Sequence, residues 1–176
     1  MDTLFLDRDG VLNVRMPGEY VQHPDAFIPT PGLETAFPML AARFERIVVV
    51  TNQAGIGKGL MTMEDLEAVH QKLRDIAQAS GGRLDAIYAC PHRSDAACPC
   101  RKPATGMAWL ALEQFPEIDF ENSWMVGDSK SDMAFGQALG MRTVLINGKQ
   151  EEAEELQKMH VDFRFGNLLD FARFIC

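Results

Sequence analysis

No apolar run in this sequence approaches the roughly 20 residues that a membrane-spanning helix needs. The opening "MDTLFLDRDG" has no basic stretch ahead of an apolar core and no small-residue cleavage pattern. The first absence argues against a membrane partner and the second against secretion, so a cytoplasmic protein is expected. Positive charge is scarce as well. Lys and Arg number 17 against 25 Asp and Glu, a net charge of −8. Such a chain repels nucleic acid overall, and an anionic ligand would have to be held by local cations against the general field. Repeats, low-complexity tracts and linkers are also missing. The 176 residues suffice for one hydrophobic core, so a single domain over 1-176, acting as a monomer, is expected.

Cysteine is sparse too, with four in the chain, and three of them fall in "CPHRSDAACPCRKP", Cys90 to Pro103. Disulfides do not persist in a reducing compartment, and a Cys98–Cys100 bridge would be strained. Cys90-x-His92 followed after five residues by Cys98-x-Cys100 offers three thiols and an imidazole, a donor set that fits tetrahedral zinc. The alternative is a loop with free thiols. Four protein ligands leave zinc no open position, so its role would be structural. It would fix a turn-rich loop and, with it, Arg101 and Lys102 directly behind.

Short β-rich runs alternate with amphipathic stretches. Thr3–Leu6, Arg46–Thr51, Asp85–Cys90, Ser123–Val126 and Thr143–Ile146 read as strands, with Asp162–Phe165 a further one. The clearest helix runs from Thr62 to Ala79. Thr62 can cap it, Leu66, Val69, Leu73 and Ile76 form its apolar face, and Gly81-Gly82 stops it. Leu33–Phe44 is expected to be helical, with Pro38 kinking or shifting it. Strand–helix alternation predicts an α/β fold, a parallel sheet with helices on both faces, whose ligands bind beyond the carboxyl ends of the strands.

Polar groups stand at those ends. The first strand runs into "DRDGVLN". In extended backbone Asp7 and Asp9 point to one side, and Gly10 lets the chain turn. Crowded carboxylates suit a shared magnesium ion or an acid–nucleophile pair, although Asp and Gly are also ordinary turn residues. The second strand ends in "VVVTNQAGIGKG". Thr51 and Asn52 offer a hydroxyl and an amide. Gly55, Gly57, Gly59 and Lys58 form either a phosphate cradle or a flexible loop. A later strand ends in "MVGDSKSDM", where Asp128 is either a carboxylate for a shared cation or, with Ser129, a helix cap.

In this order, the motifs D-x-D-G, strand-T-N, K-P and G-D-x-x-x-D resemble the haloacid dehalogenase superfamily of phosphotransferases from Leu4 to about Gly148. The resemblance implies a Rossmann-like, capless core with a short zinc-binding loop. It implies Asp7 as the nucleophile forming an aspartyl-phosphate, and Asp9 as the acid and then the base. Thr51 would hold the phosphoryl oxygens, Lys102 would neutralise them, and magnesium would be bound by Asp7, the Asp9 carbonyl and Asp128. The "CRKP" loop, the flap Gly18–Phe27 and "TNQAGIGKG" are similar to the zinc-loop branch that hydrolyses heptose 1,7-bisphosphate at the 7-phosphate or, alternatively, histidinol phosphate. An inactive zinc-stabilised binding module is the third reading, disfavoured because the catalytic set is intact. Asn52, Arg101, Lys58 and Lys130 are expected to contact a small phosphorylated sugar, with Arg101 meeting a second phosphate. Some of these enzymes carry Lys directly after the last motif's Asp, whereas here it is Ser129, then Lys130. Specificity is expected from Val14–Pro29, Gly55–Gly59 and the zinc loop. His70 is read as a helix-surface or packing residue, and "KQEEAEELQK" (Lys149–Lys158) as a solvated helix face.

Overall fold

The structure, a computed structural model, describes residues 2–176. Strands β1 (Thr3–Leu6), β2 (Arg46–Asn52), β3 (Ala86–Cys90), β4 (Trp124–Gly127), β5 (Arg142–Ile146) and β6 (Phe163–Phe165) form one sheet in the order β3-β2-β1-β4-β5-β6, with every neighbouring pair parallel. The strands expected from the sequence are all present, with ends shifted by one residue at most.

Side-chain alternation divides the core. Leu4, Leu6, Ile47 and Val49 face one side, where they meet helices α1 (Leu33–Arg43), α3 (Met63–Ala79) and α7 (Leu168–Ile175) through Phe37, Val69 and Phe171. Phe5, Val48, Val50 and Met125 face the other, against α4 (Gly106–Gln114) and α5 (Lys130–Ala138) through Met107, Ala111 and Phe135. A sheet buried on both faces explains the continuous apolar strands. Two short helices complete the set, α2 (Ala54–Gly57) and α6 (Ala153–Lys158). α2, α4 and α7 fall outside the helices expected from the sequence. α1 continues through Pro38 to Arg43, and packing of Phe37 and Leu40 in the core offsets the hydrogen bond that proline removes.

Thr62 caps α3 reciprocally with Asp65, and Ser129 caps α5 in the same way with Asp132. The strand order reverses direction between β1 and β4. A crevice at such a switch point opens at the carboxyl ends of both strands. Those ends are Leu6, followed by Asp7, and Gly127, followed by Asp128. Among the described residues, no helix is long and apolar enough to cross a membrane.

Candidate active site and metal centres

Asp7 leaves β1 with its amide bonded to the carbonyl of Val126 on β4. This tie sets the first carboxylate beside the end of the neighbouring strand. Asp7, Asp128 and Asp132 each offer an oxygen within 4.8 Å of the others, and all three are buried. Gly10 makes the approach possible. It adopts φ +92°, and a Cβ there would stand 2.2 Å from Asp128 Oδ2.

Lys102 neutralises part of this cluster. Its Nζ lies 2.7 Å from Asp7 Oδ1 and 2.7 Å from Asp132 Oδ1, and donates to the Val50 carbonyl at 2.6 Å. Burial works against its charge, but the Asp132 and Asp7 carboxylates overcome that and hold its pKa well above the usual lysine range. Burial raises Asp7 to about 6, against the opposing charge of Lys102. Burial and the charges of Asp7 and Asp132 push Asp128 to about 8. Asp128 Oδ1 is buried without a hydrogen-bond partner, and the Asp9 carbonyl accepts no hydrogen bond among the described residues. Undonated hard oxygens at the ends of two strands fit magnesium.

Asp9 has a different setting. Arg8 Nη2 and Asn13 Nδ2 donate to its Oδ1 at 2.9 and 3.0 Å, and Gln53 Nε2 donates to Oδ2 at 2.8 Å. Burial alone would raise its pKa, but the Arg8 charge and these donors hold it below the usual carboxylate range. Gln53 also donates to Thr51 Oγ1 at 2.8 Å, so Thr51 and Asp9 are joined through one amide. Arg8 is fully buried, with Nη1 3.4 Å from Nε2 of His70. His70 is therefore a packing residue beneath the site, and burial followed by the Arg8 charge lowers its pKa to about 3.

The four outer residues expected to contact substrate are placed differently from one another. Asn52 brackets the Lys102 peptide, accepting from its N–H at 3.0 Å and donating to its carbonyl at 3.1 Å. Its amide therefore positions the lysine. Arg101 Nη1 lies 3.4 Å from the His92 carbonyl in its own loop. Lys58 stands over the Tyr20 ring at 5.3 Å, and Lys130 pairs with Glu155 at 3.0 Å. Residues outside the sequence-derived set also reach the centre. Asn13, Gln53 and Asp132 lie inside the quoted motifs, so their spacing was visible although their partners were not. Arg15 and Lys149 had no such signal. Arg15 Nε and Lys149 Nζ each lie 3.8 Å from an Asp128 oxygen. The Lys149 amide also donates to the Asp128 carbonyl at 2.8 Å. The start of "KQEEAEELQK" is thus a wall of the site, not only a solvated face.

Cys90, His92, Cys98 and Cys100 converge, with one donor atom from each inside 4.8 Å. The Sγ atoms of Cys98 and Cys100 are 2.8 Å apart, and His92 Nδ1 is 2.9 Å from Cys98. Three thiols and one imidazole are a donor set for zinc. Cys90 ends β3, paired in register with Asn52 of β2, and the Gln53 amide donates to its carbonyl at 2.7 Å. The loop thus starts beside the residue that brackets Lys102.

A family model described as HAD-hydrolase-like matches residues 99–170. The chain is 37% identical over 174 residues to a D-glycero-beta-D-manno-heptose-1,7-bisphosphate 7-phosphatase of Pseudomonas putida, covering 98% of each chain. It is 41% identical over 130 residues to the alpha-named counterpart of Mycobacterium bovis, covering 74% of this chain and 68% of that one. A crystal structure of D,D-heptose 1,7-bisphosphate phosphatase from B. bronchiseptica, complexed with magnesium and phosphate, superposes with a TM-score of 0.89 at 31% identity, covering 99% of this chain and 98% of that one. With the switch-point carboxylates, the buried lysine and near full-length similarity, the chain belongs to the haloacid dehalogenase-like phosphatases, in the family of the D-glycero-D-manno-heptose-1,7-bisphosphate 7-phosphatases.

Proposed function

We propose that the protein is a magnesium-dependent phosphatase that removes the 7-phosphate of D-glycero-D-manno-heptose 1,7-bisphosphate through an aspartyl-phosphate on Asp7. The observation that carries this reading is the state of Asp7. Lys102 pins Oδ1 at 2.7 Å, no donor reaches Oδ2 among the described residues, and the orphaned Asp128 oxygen stands alongside. A carboxylate held at one oxygen and open at the other is a pre-oriented nucleophile.

Asp7 Oδ2 attacks phosphorus, and the bond to the sugar oxygen breaks. Asp9 is ionised at rest, so its proton must arrive with the substrate. A phosphate beside it raises its proton affinity, and a monoester monoanion carries the proton required. Asp9 then protonates the departing alkoxide. In the second half it takes a proton from water, which attacks the aspartyl-phosphate and releases inorganic phosphate. Thr51 and Lys102 hold the phosphoryl oxygens, with Asn52 and Asp132 holding Lys102. Asp7, the Asp9 carbonyl and Asp128 would hold the magnesium ion, which supplies charge neutralisation between nucleophile and phosphoryl group. Zinc on Cys90, His92, Cys98 and Cys100 would brace the loop that carries Lys102. The same reading takes 1-176 as one domain working as a cytoplasmic monomer.

The test is turnover on both anomers of heptose 1,7-bisphosphate and on histidinol phosphate, with phosphorus NMR of the products. The expected product is heptose 1-phosphate with retained anomeric configuration. Preferential hydrolysis of histidinol phosphate, or release of the 1-phosphate, would refute the assignment.

A further inference from the structure

Arg8, the residue between the two aspartates that follow β1, is fully buried. It continues the alternation of Leu4 and Leu6, whose side of the sheet packs against α3. A buried guanidinium has to be paired. Among the described residues its ion pair is with Asp9, Nη2 to Oδ1 at 2.9 Å. The Arg8 carbonyl also accepts from the amides of Leu12 and Asn13 at 2.8 and 3.1 Å. One residue thus closes the turn that carries Asp9 and holds the Asp9 carboxylate.

The second arm of the guanidinium reaches α3. Nη1 lies 3.4 Å from Nε2 of His70, 62 positions along the chain. Arginine has donors only, so Nε2 accepts and the ring proton sits on Nδ1. The imidazole is neutral there, because burial and then the Arg8 charge lower its pKa to about 3. A side chain that only filled space would need no acceptor nitrogen at this point. With Nη1 on α3 and Nη2 on Asp9, the plane of the guanidinium is fixed.

That plane decides how Asp9 is turned. Arg8 Nη2 and Asn13 Nδ2 fill Oδ1, and Gln53 Nε2 takes one of the two acceptor places on Oδ2. The other place on Oδ2 is where a proton can be passed to a departing alkoxide. A carboxylate that rotated would exchange its two oxygens and lose that aim. We propose that His70 is a positioning residue for proton transfer by Asp9 and acts through Arg8. The inference rests on Asp9 as the acid in the reading above.

The experiment compares H70L, H70Q and R8K with wild type on two phosphate monoesters. Heptose 1,7-bisphosphate expels an alkoxide, which needs the proton of an acid. In p-nitrophenyl phosphate the phenolate departs without one. The quantity read is kcat/KM, which covers the steps through release of the leaving group and excludes hydrolysis of the aspartyl-phosphate. Unfolding curves check each fold, and inhibition by inorganic phosphate checks the phosphoryl site. H70L fills the same volume without an acceptor, and should lose at least about tenfold on the bisphosphate but no more than about twofold on the aryl ester. H70Q keeps an acceptor and should stay within about threefold of wild type on both. R8K keeps the charge but cannot bridge both partners. It should show the same selective loss, and it carries the test if H70L does not fold. Inhibition by phosphate should be unchanged in the His70 variants. Equal losses on the two esters, no loss in H70L, or H70Q as impaired as H70L would overturn the proposal. If wild type hydrolyses the bisphosphate and the variants keep its ratio between the esters, only this inference falls. If wild type does not hydrolyse the bisphosphate, both fall.

Discussion

Lys102 Nζ lies 2.7 Å from Oδ1 of Asp132, a residue one helical turn past Asp128 and itself immobilised at the other oxygen. Asp132 Oδ2 accepts from the amides of Asp128 and Ser129 at 3.1 and 3.0 Å and from the Ser129 hydroxyl at 2.6 Å. The carboxylate that caps α5 therefore also aims the lysine, coupling a helix terminus to the reacting position. Asp132→Asn should remove one of the two counter-charges of a buried ammonium. Stability should fall by about 3 kcal/mol, and turnover should fall at least tenfold. Urea unfolding and steady-state kinetics would check this. Unchanged turnover would mean that Asp7 alone suffices to orient Lys102.

Asp7→Asn should abolish turnover and leave the fold intact, since the nucleophilic oxygen is lost while the amide tie to Val126 remains. Asp9→Asn should also be inactive, because neither the alkoxide nor the water proton has a carrier. Far-ultraviolet circular dichroism and rapid-quench detection of acid-stable phosphoprotein would separate the two. No phosphoprotein is expected with Asp7→Asn. Normal turnover by that variant would exclude the covalent route.

Freshly purified protein should carry about one zinc per chain. Cys98→Ser should lower the zinc content and reduce activity and stability together, because the same loop supplies Lys102. Elemental analysis and thermal unfolding give the two readouts. Metal-free protein with full activity would show that the loop holds Lys102 through Asn52 alone.

His70 should make the protein acid-sensitive. Its folded-state pKa is lowered to about 3 by burial and Arg8, whereas an unfolded histidine titrates near 6.5. Between those values the unfolded chain binds a proton that the folded one refuses. This contribution is therefore complete above about pH 6.5 and is lost as pH falls toward 3, with a size on the order of 5 kcal/mol. His70→Gln, which can still accept from Arg8, should flatten the stability profile over that window. A profile as steep as wild type would assign the acid sensitivity to other groups.

The sequence by itself determined the alternation of buried strands and helices, because burial on both faces requires continuous β-branched runs such as "RIVVV". It determined the capped starts of α3 and α5 and the gathering of three thiols and one imidazole that fits zinc, whose chemistry is local to one short loop. It also located Asp7, Asp9, Thr51 and Asp128 at strand ends, since a strand end and its following turn are adjacent in the chain, and set Lys102 directly behind the cysteine loop. Tertiary structure alone decided what faces what across the sheet. The pairing of β1 with β4 sets Asp7 against Asp128, and the pairing of β2 with β3 turns Asn52 toward Lys102. Arg15 and Glu151 are separated by 136 positions. No periodicity or local spacing relates residues so distant, and only the folding of both segments onto one crevice brings the guanidinium and carboxylate together.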